Sequence, residues 1–201
     1  MTGYLPKKTN YNMSKIEVLC FYYSYAGREV NYNDILNKLD FMDEEDRTPS
    51  GFWTSLGGFS ITIDGFKTIY SNHNFYNMVK ASTFLLNTVY WLNGKESDWF
   101  NKPINASELS IEFGVNEKLT IHNKSLTEIS LSYSNQTIGY ERKRGDRYFE
   151  DIVLPKQEWV NAVKVGLNEY FKVLLQIAHN DKNNDTSKIM QEYYSVWNLV
   201  E

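Results

Sequence analysis

Histidine and cysteine are the natural starting points for chemistry in a chain, and here both are scarce. The 201 residues include three histidines, His73, His122 and His179, and one cysteine, Cys20. The histidine spacing fits no metal site, because ligands come in close pairs such as His-x3-His or Cys-x2-Cys. His73 stands between Asn72 and Asn74 and reads as a turn or capping residue. His122 falls in a strand or turn, and His179 in a last helical turn, where positive charge is favoured. Cys20 sits in the apolar run Val18-Leu19-Cys20-Phe21 and reads as a small buried hydrophobe, since no activating group is near it.

The usual catalytic signatures are missing too. There is no Gly-x-Ser-x-Gly elbow and no Ser-x-x-Lys. Ser55-Leu56-Gly57-Gly58-Phe59 has two glycines but no Lys-Ser/Thr, so it is not a phosphate loop. It also follows no predicted strand, as a dinucleotide fingerprint must. The acidic run Asp40 to Asp46 lacks the alternating oxygen ligands and central glycine of a calcium loop. The expectation is a chain without cofactor or metal.

Three features suit binding instead. The acidic stretch Asp43, Glu44, Glu45 and Asp46 runs into Arg47-Thr48-Pro49-Ser50-Gly51 and reads as a mobile loop. Aromatic pairs stand where loops are expected, Phe52-Trp53 and Trp99-Phe100, either as interaction hot spots or as plugs closing the ends of a sheet. Within Glu141 to Arg147, the basic residues Arg142, Lys143, Arg144 and Arg147 surround a Gly145-Asp146 hairpin tip. They could grip phosphate or an acidic partner surface, or keep an exposed hairpin soluble and block edge pairing.

Periodicity indicates what must position these residues. Ile16 to Tyr25 reads as a strand ended by Ala26-Gly27, and Asn33 as the cap of a short helix, Asp34 to Phe41. Phe59 to Asp64 alternates cleanly, Asp64-Gly65 is a hairpin signal, and Phe66 to Tyr70 returns. Asn74 is expected to cap a helix, Phe75 to Leu92, stopped by Asn93-Gly94.

From Ser107 to Leu154 the period is two, predicting a meander of about five strands. Its successive faces are Leu109, Ile111, Phe113 and Val115; Leu119 and Ile121; Leu126, Ile129, Leu131 and Tyr133; Ile138 and Tyr140; and Tyr148, Ile152 and Leu154. The register slips near Thr127. Pro155 opens a helix to His179 with the stripe Trp159, Val163, Leu167, Tyr170, Leu174 and Ile177. Residues 180–187 link it to a short C-terminal helix, Lys188 to Leu199, presenting Ile189, Tyr193, Val196 and Trp197. The predicted class is α+β: an antiparallel sheet, meander plus N-terminal strand and hairpin, with two long helices on one face and the short helix after them.

Length fits one domain over residues 1–201 with a flexible start at 1–13, and it allows roughly 70% surface burial. A net charge of −4 argues against nucleic acid as partner. No apolar run approaches a membrane span, and with a polar start the expectation is a cytoplasmic chain. The Asn-, Lys- and Ile-containing composition fits an AT-rich bacterial or phage genome. The expected function is non-catalytic protein binding of the immunity-protein, antitoxin or anti-defence type, against a co-encoded toxin or a defence protein. The last helix caps its own core or pairs two copies. The alternative is an enzyme or small-ligand site assembled from scattered residues, with His73, Asp64, Glu141 and the basic cluster as first suspects.

Overall fold

The computed structural model describes residues 15–65, 67–70, 77–100, 107–113, 117–135 and 148–200. It is an α+β fold with two four-stranded antiparallel sheets. The first holds β1 (Ile16–Tyr23), β2 (Glu29–Asn31), β3 (Gly57–Ile63) and β4 (Lys67–Tyr70) in the order β2-β1-β3-β4. The second is the meander β5 (Glu108–Phe113), β6 (Glu117–Asn123), β7 (Glu128–Asn135) and β8 (Tyr148–Pro155), in sequence order. The helices are α1 (Tyr32–Asn37), α2 (Pro49–Thr54), α3 (Met78–Leu92), α4 (Lys156–Asn180) and α5 (Asp185–Asn198). Inner faces of both sheets and the buried sides of all five helices join one contiguous core.

In the first sheet Val18, Cys20 and Tyr22 share the core face with Phe59 and Ile61, to which β1 is registered as Cys20↔Phe59 and Val18↔Ile61. The strand stops at Tyr23, earlier than the composition suggests. Ser24 N donates to Arg28 O at 2.9 Å, and Gly27 at φ 77 closes the turn onto β2. Asp64 (φ 53) and Gly65 (φ 70) have the left-handed geometry expected of them, although the closing pair is Ile63↔Lys67, so the turn is one residue longer.

Several boundaries differ from the sequence reading, each for a local reason. α1 begins at Tyr32 after Asn31 and ends at Asn37, because Lys38 is extended (φ −155). α3 is capped by Asn77 and not Asn74: Asn77 Oδ1 accepts from Val79 N at 2.7 Å, while its Nδ2 donates to Trp53 O at 2.8 Å. Leu126, read as part of the third meander strand, is 94% exposed in the turn before β7. Tyr148 is exposed where burial was expected, and Phe149 is buried instead. A β-bulge explains this, since Leu131 pairs with Ile152 but Tyr133 pairs with Phe149. The extra residue lets Asp151 adopt φ 53 and flips the side-chain phase. Val115, Ile138 and Tyr140 lie outside the described residues.

Proline stands at the N-cap of α4, one position earlier than expected. Trp159, Val163, Leu167, Tyr170, Leu174 and Ile177 are all buried, as their spacing predicts. α5 starts at Asp185, where Asn184 Oδ1 accepts from Thr186 N at 2.8 Å. Its Met190, Tyr193, Val196 and Trp197 enter the chain's own core, while Ile189 is exposed. Phe171 stacks on Trp197 with ring centroids 4.9 Å apart, and Tyr90 Oη donates to Val196 O at 2.7 Å. The apolar stripe of the last helix therefore caps the core.

Candidate partner-binding surface

Among the described residues, part of one edge of the first sheet is left unpaired by its neighbouring strands. Tyr23 N donates to Leu56 O and Asp64 N donates to Lys15 O, so the odd residues of β1 aim their backbone groups at β3 and its flanks. Antiparallel alternation turns the backbone groups of Ile16, Val18 and Cys20 to the opposite edge. Among the described residues β2 meets that edge only at Phe21–Tyr23. Beside the rest runs α4, which touches the strand at Gly166. A Cβ on Gly166 would lie 2.5 Å from Val18 O. The helix thus shields the edge at one point.

On either side of this crossing lies a hollow. One, of about 580 Å³, is lined by Lys15, Glu17, Leu19, Glu158, Asn161 and Val165 among others. The other, of about 560 Å³, is lined on its polar side by Asn31, Asn33, Asp34, Lys164, Asn168 and Glu169, with Cys20 also on its wall. Val18, Leu19 and Val165 belong to both. Leu19 is 57% exposed and Val165 74%, forming an apolar ridge between the hollows. An apolar centre with a polar rim is the anatomy of a protein-binding patch. Four carboxylates line the two hollows (Glu17, Asp34, Glu158 and Glu169) against two ammonium groups, Lys15 and Lys164.

The acidic stretch is a braced structure, which corrects the expectation of a mobile loop. Residues 45–47 form a 3-10 turn, and α2 follows at once. Pro49 opens that helix, and Thr48 Oγ1 accepts from Gly51 N at 3.1 Å. Arg47 donates to Met42 O at 2.8 Å and to Asp40 Oδ1 at 3.0 Å. Glu44 and Glu45 are exposed, Asp43 is half-buried and Asp46 is 3% exposed.

Tyr22 Oη fastens this segment to β1. It lies 2.7 Å from Asp43 Oδ2 and 2.7 Å from Asp46 Oδ2, and it accepts from Asp43 N at 3.2 Å. A phenol carries one proton, so it can donate to only one carboxylate. Of the two carboxyls, Asp46 is the one whose pKa is raised: by burial first, against the Tyr22 hydrogen bond, and further by the charges of Asp43 and Glu45. Tyr22 itself is held well above the usual phenol range by burial and by both carboxylates.

The sign of the pH effect follows. A carboxyl whose folded pKa is raised adds stability at low pH and loses it as pH climbs through the folded value. Asp46→Asn, whose amide can still donate to Tyr22 Oη, should match the parent near pH 4 and equal or exceed it near pH 8. Urea midpoints of both proteins across that range provide the check. A constant deficit at every pH would show that Asp46 holds no proton.

The aromatic pairs pack in or against the core to different depths. Phe52 is 1% exposed and stacks on Tyr170 at 5.8 Å, so it lies out of a partner's reach, contrary to a hot-spot role. Trp53 and Trp99 are half-buried, pack edge-on against each other at 6.4 Å, and both touch Tyr193. Phe100 is half-buried against Tyr90 at 4.9 Å. These rings seal the region where α2, α3 and α5 meet. Arg142, Lys143, Arg144 and Arg147 lie outside the described residues, as do His73 and Glu141.

The remaining suspects have local tasks. Asp64 Oδ1 accepts from Lys15 N at 2.8 Å, closing the start of the first sheet. His122 pairs across strands with Glu108, Nδ1 to Oε2 at 3.3 Å. Burial pushes the Cys20 thiol pKa up, away from nucleophilic use. Asp151 at the bulge accepts from Ser130 Oγ and pairs with Lys124 Nζ, each at 2.9 Å. Among the described residues no group of three or more His, Cys, Asp or Glu side chains is arranged to hold a metal ion. No helix there is long and apolar enough to cross a membrane.

Leu19, Val165 and Glu158 were not singled out from the sequence, yet two signals were present. Gly166 in a helix interior marks a close approach, and Val165 is an apolar residue off the buried stripe of α4. No family model matches the chain, and no curated protein or solved structure is significantly similar to it.

Proposed function

We propose that this chain is a non-catalytic binding protein that acts by covering a surface of another protein through the seam between β1 and α4. The observation that carries the reading is the exposed Leu19–Val165 ridge, flanked by two hollows with polar, acid-rich rims. Apolar surface set in such a rim gains from being removed from water, at roughly 25 cal/mol per Å². Fixed negative charge around it steers a basic partner and rejects an acidic one. The exposed Glu44 and Glu45, held beyond the C-terminal end of β1 by the Tyr22 clasp, add to the same field.

The kind of work that fits is stoichiometric inhibition, as immunity proteins, antitoxins and anti-defence proteins perform it, with a co-encoded toxin or a defence protein as target. Such binding requires complementarity over roughly 800 Å² per partner and no catalytic group. Co-expression with the products of neighbouring genes should yield a complex of fixed stoichiometry by light scattering. Val165→Asp, on an exposed helical face, should leave melting within about 0.5 kcal/mol of the parent and abolish the complex. A complex that survives this change would place the interface elsewhere. Failure to form any complex at low salt would count against binding altogether.

A further inference from the structure

We infer that the hollow beside Glu158 receives a lysine or arginine side chain from an extended segment of the partner, with an aliphatic neighbour seated on the Leu19–Val165 ridge. This rests on the binding reading above and specifies its chemistry. Glu158 is the third residue of α4, where the helix N-terminus favours its negative charge. Its Oε2 is nevertheless buried and has no hydrogen-bond partner. That oxygen has no accessible surface of its own, but Glu158 as a whole is half-buried and lines the hollow, so a cation seated there gains when the carboxyl rotates to meet it.

The hollow's own lining lysine is committed elsewhere: Lys15 Nζ sits 2.6 Å from Glu17 Oε1. Asn161, one turn on from Glu158, accepts at Oδ1 from Gln157 Nε2 at 2.9 Å. Among the described residues no lysine or arginine pairs with Glu158, and the cation inferred for it is the partner's. Its carrier is extended because the backbone groups of Ile16 face the same hollow on the edge that β2 leaves uncovered, and a strand-like backbone can hydrogen-bond there. Beyond Ile16 the contact of Gly166 with Val18 blocks further pairing, so side chains must supply the rest.

The test uses the full chain and a displayed library of random 12-residue peptides, selected at low salt and eluted with high salt. Selected peptides should carry Lys or Arg within two positions of Leu, Ile, Val or Met. For synthetic versions measured by calorimetry, Glu158→Gln should weaken binding about tenfold. Replacing the peptide cation by norleucine should cost the same in the parent and nothing further in Glu158→Gln. Val165→Asp should abolish binding, and Glu192→Gln, on the exposed side of α5, should change nothing.

Peptides lost to Val165→Asp but indifferent to Glu158→Gln would overturn the basic-residue inference and leave the seam standing. Peptides indifferent to both, or no enrichment, would remove the seam as well. Enrichment of acidic peptides, or light scattering showing that the chain pairs with itself through Val165, would also overturn the inference.

Discussion

Trp159→Ala is expected to destabilise the protein by about 3–5 kcal/mol, the largest loss from any single side chain considered. Trp159 is fully buried near the start of α4. Its indole Nε1 donates to Thr88 Oγ1 at 2.9 Å, and that hydroxyl in turn donates to Leu85 O at 2.6 Å. Truncation removes the ring from the α3–α4 contact and takes the indole donor from the Thr88 hydroxyl, which keeps its own bond to Leu85 O. Thr88→Val separates the two losses, because it keeps the volume and leaves the indole N–H buried without an acceptor. It should cost about 1–3 kcal/mol, and Thr88→Ser should restore most of that. Urea unfolding followed by tryptophan fluorescence measures all three. If Thr88→Val proved neutral, the hydrogen-bonded chain would contribute nothing and the ring's packing alone would matter.

Gly166→Ala should cost about 3 kcal/mol even though alanine is the better helix former by about 1 kcal/mol. The added Cβ would stand 2.5 Å from Val18 O, 2.7 Å from Val18 Cγ1 and 2.9 Å from the Val18 carbonyl carbon. Two of those atoms are backbone of β1, which is held in place by the pairing of its neighbouring residues with β3, and they cannot rotate aside. α4 must then lift from β1, and propensity is too small to compensate. Val165→Ala is the matched control one residue away; it points to solvent and should shift stability by no more than about 0.5 kcal/mol. Because the lift would reshape both hollows, Gly166→Ala should also weaken partner binding in protein that is still folded. A variant as stable as the parent would mean that the helix does not rest on the strand at this point.

Gly166 also links stability to the proposed function. Without a side chain there, α4 approaches β1 closely enough to shield Val18, and the hollows open on either side of that contact. A larger residue would separate helix and strand and turn two defined hollows into one loose cleft.

The sequence by itself determined the elements whose burial is periodic. The stripe of α4 from Trp159 to Ile177, the alternation through Ile129, Leu131 and Tyr133, and the Asp64-Gly65 turn are local consequences of a 3.6-residue period, a two-residue period and the freedom to adopt positive φ. The α+β class follows from these. Tertiary structure alone decided the division of the strands into two sheets, since pairing partners are chosen by long-range contact and carry no local mark. It decided the phase of β8 as well, because the bulge at Asp151 moves burial from Tyr148 to Phe149 without any change in composition.

The candidate surface was the least legible part. The acidic run looked like a solvated loop because its anchor, Tyr22, lies 21 to 24 residues away. Phe52 looked available because the ring that covers it, Tyr170, comes from α4, and half-buried Trp53 rests on Tyr193 of α5. Leu19, Glu158 and Val165 became a surface only when one helix crossed one strand. Exposure belongs to the packed chain, and no residue's type fixes it in advance.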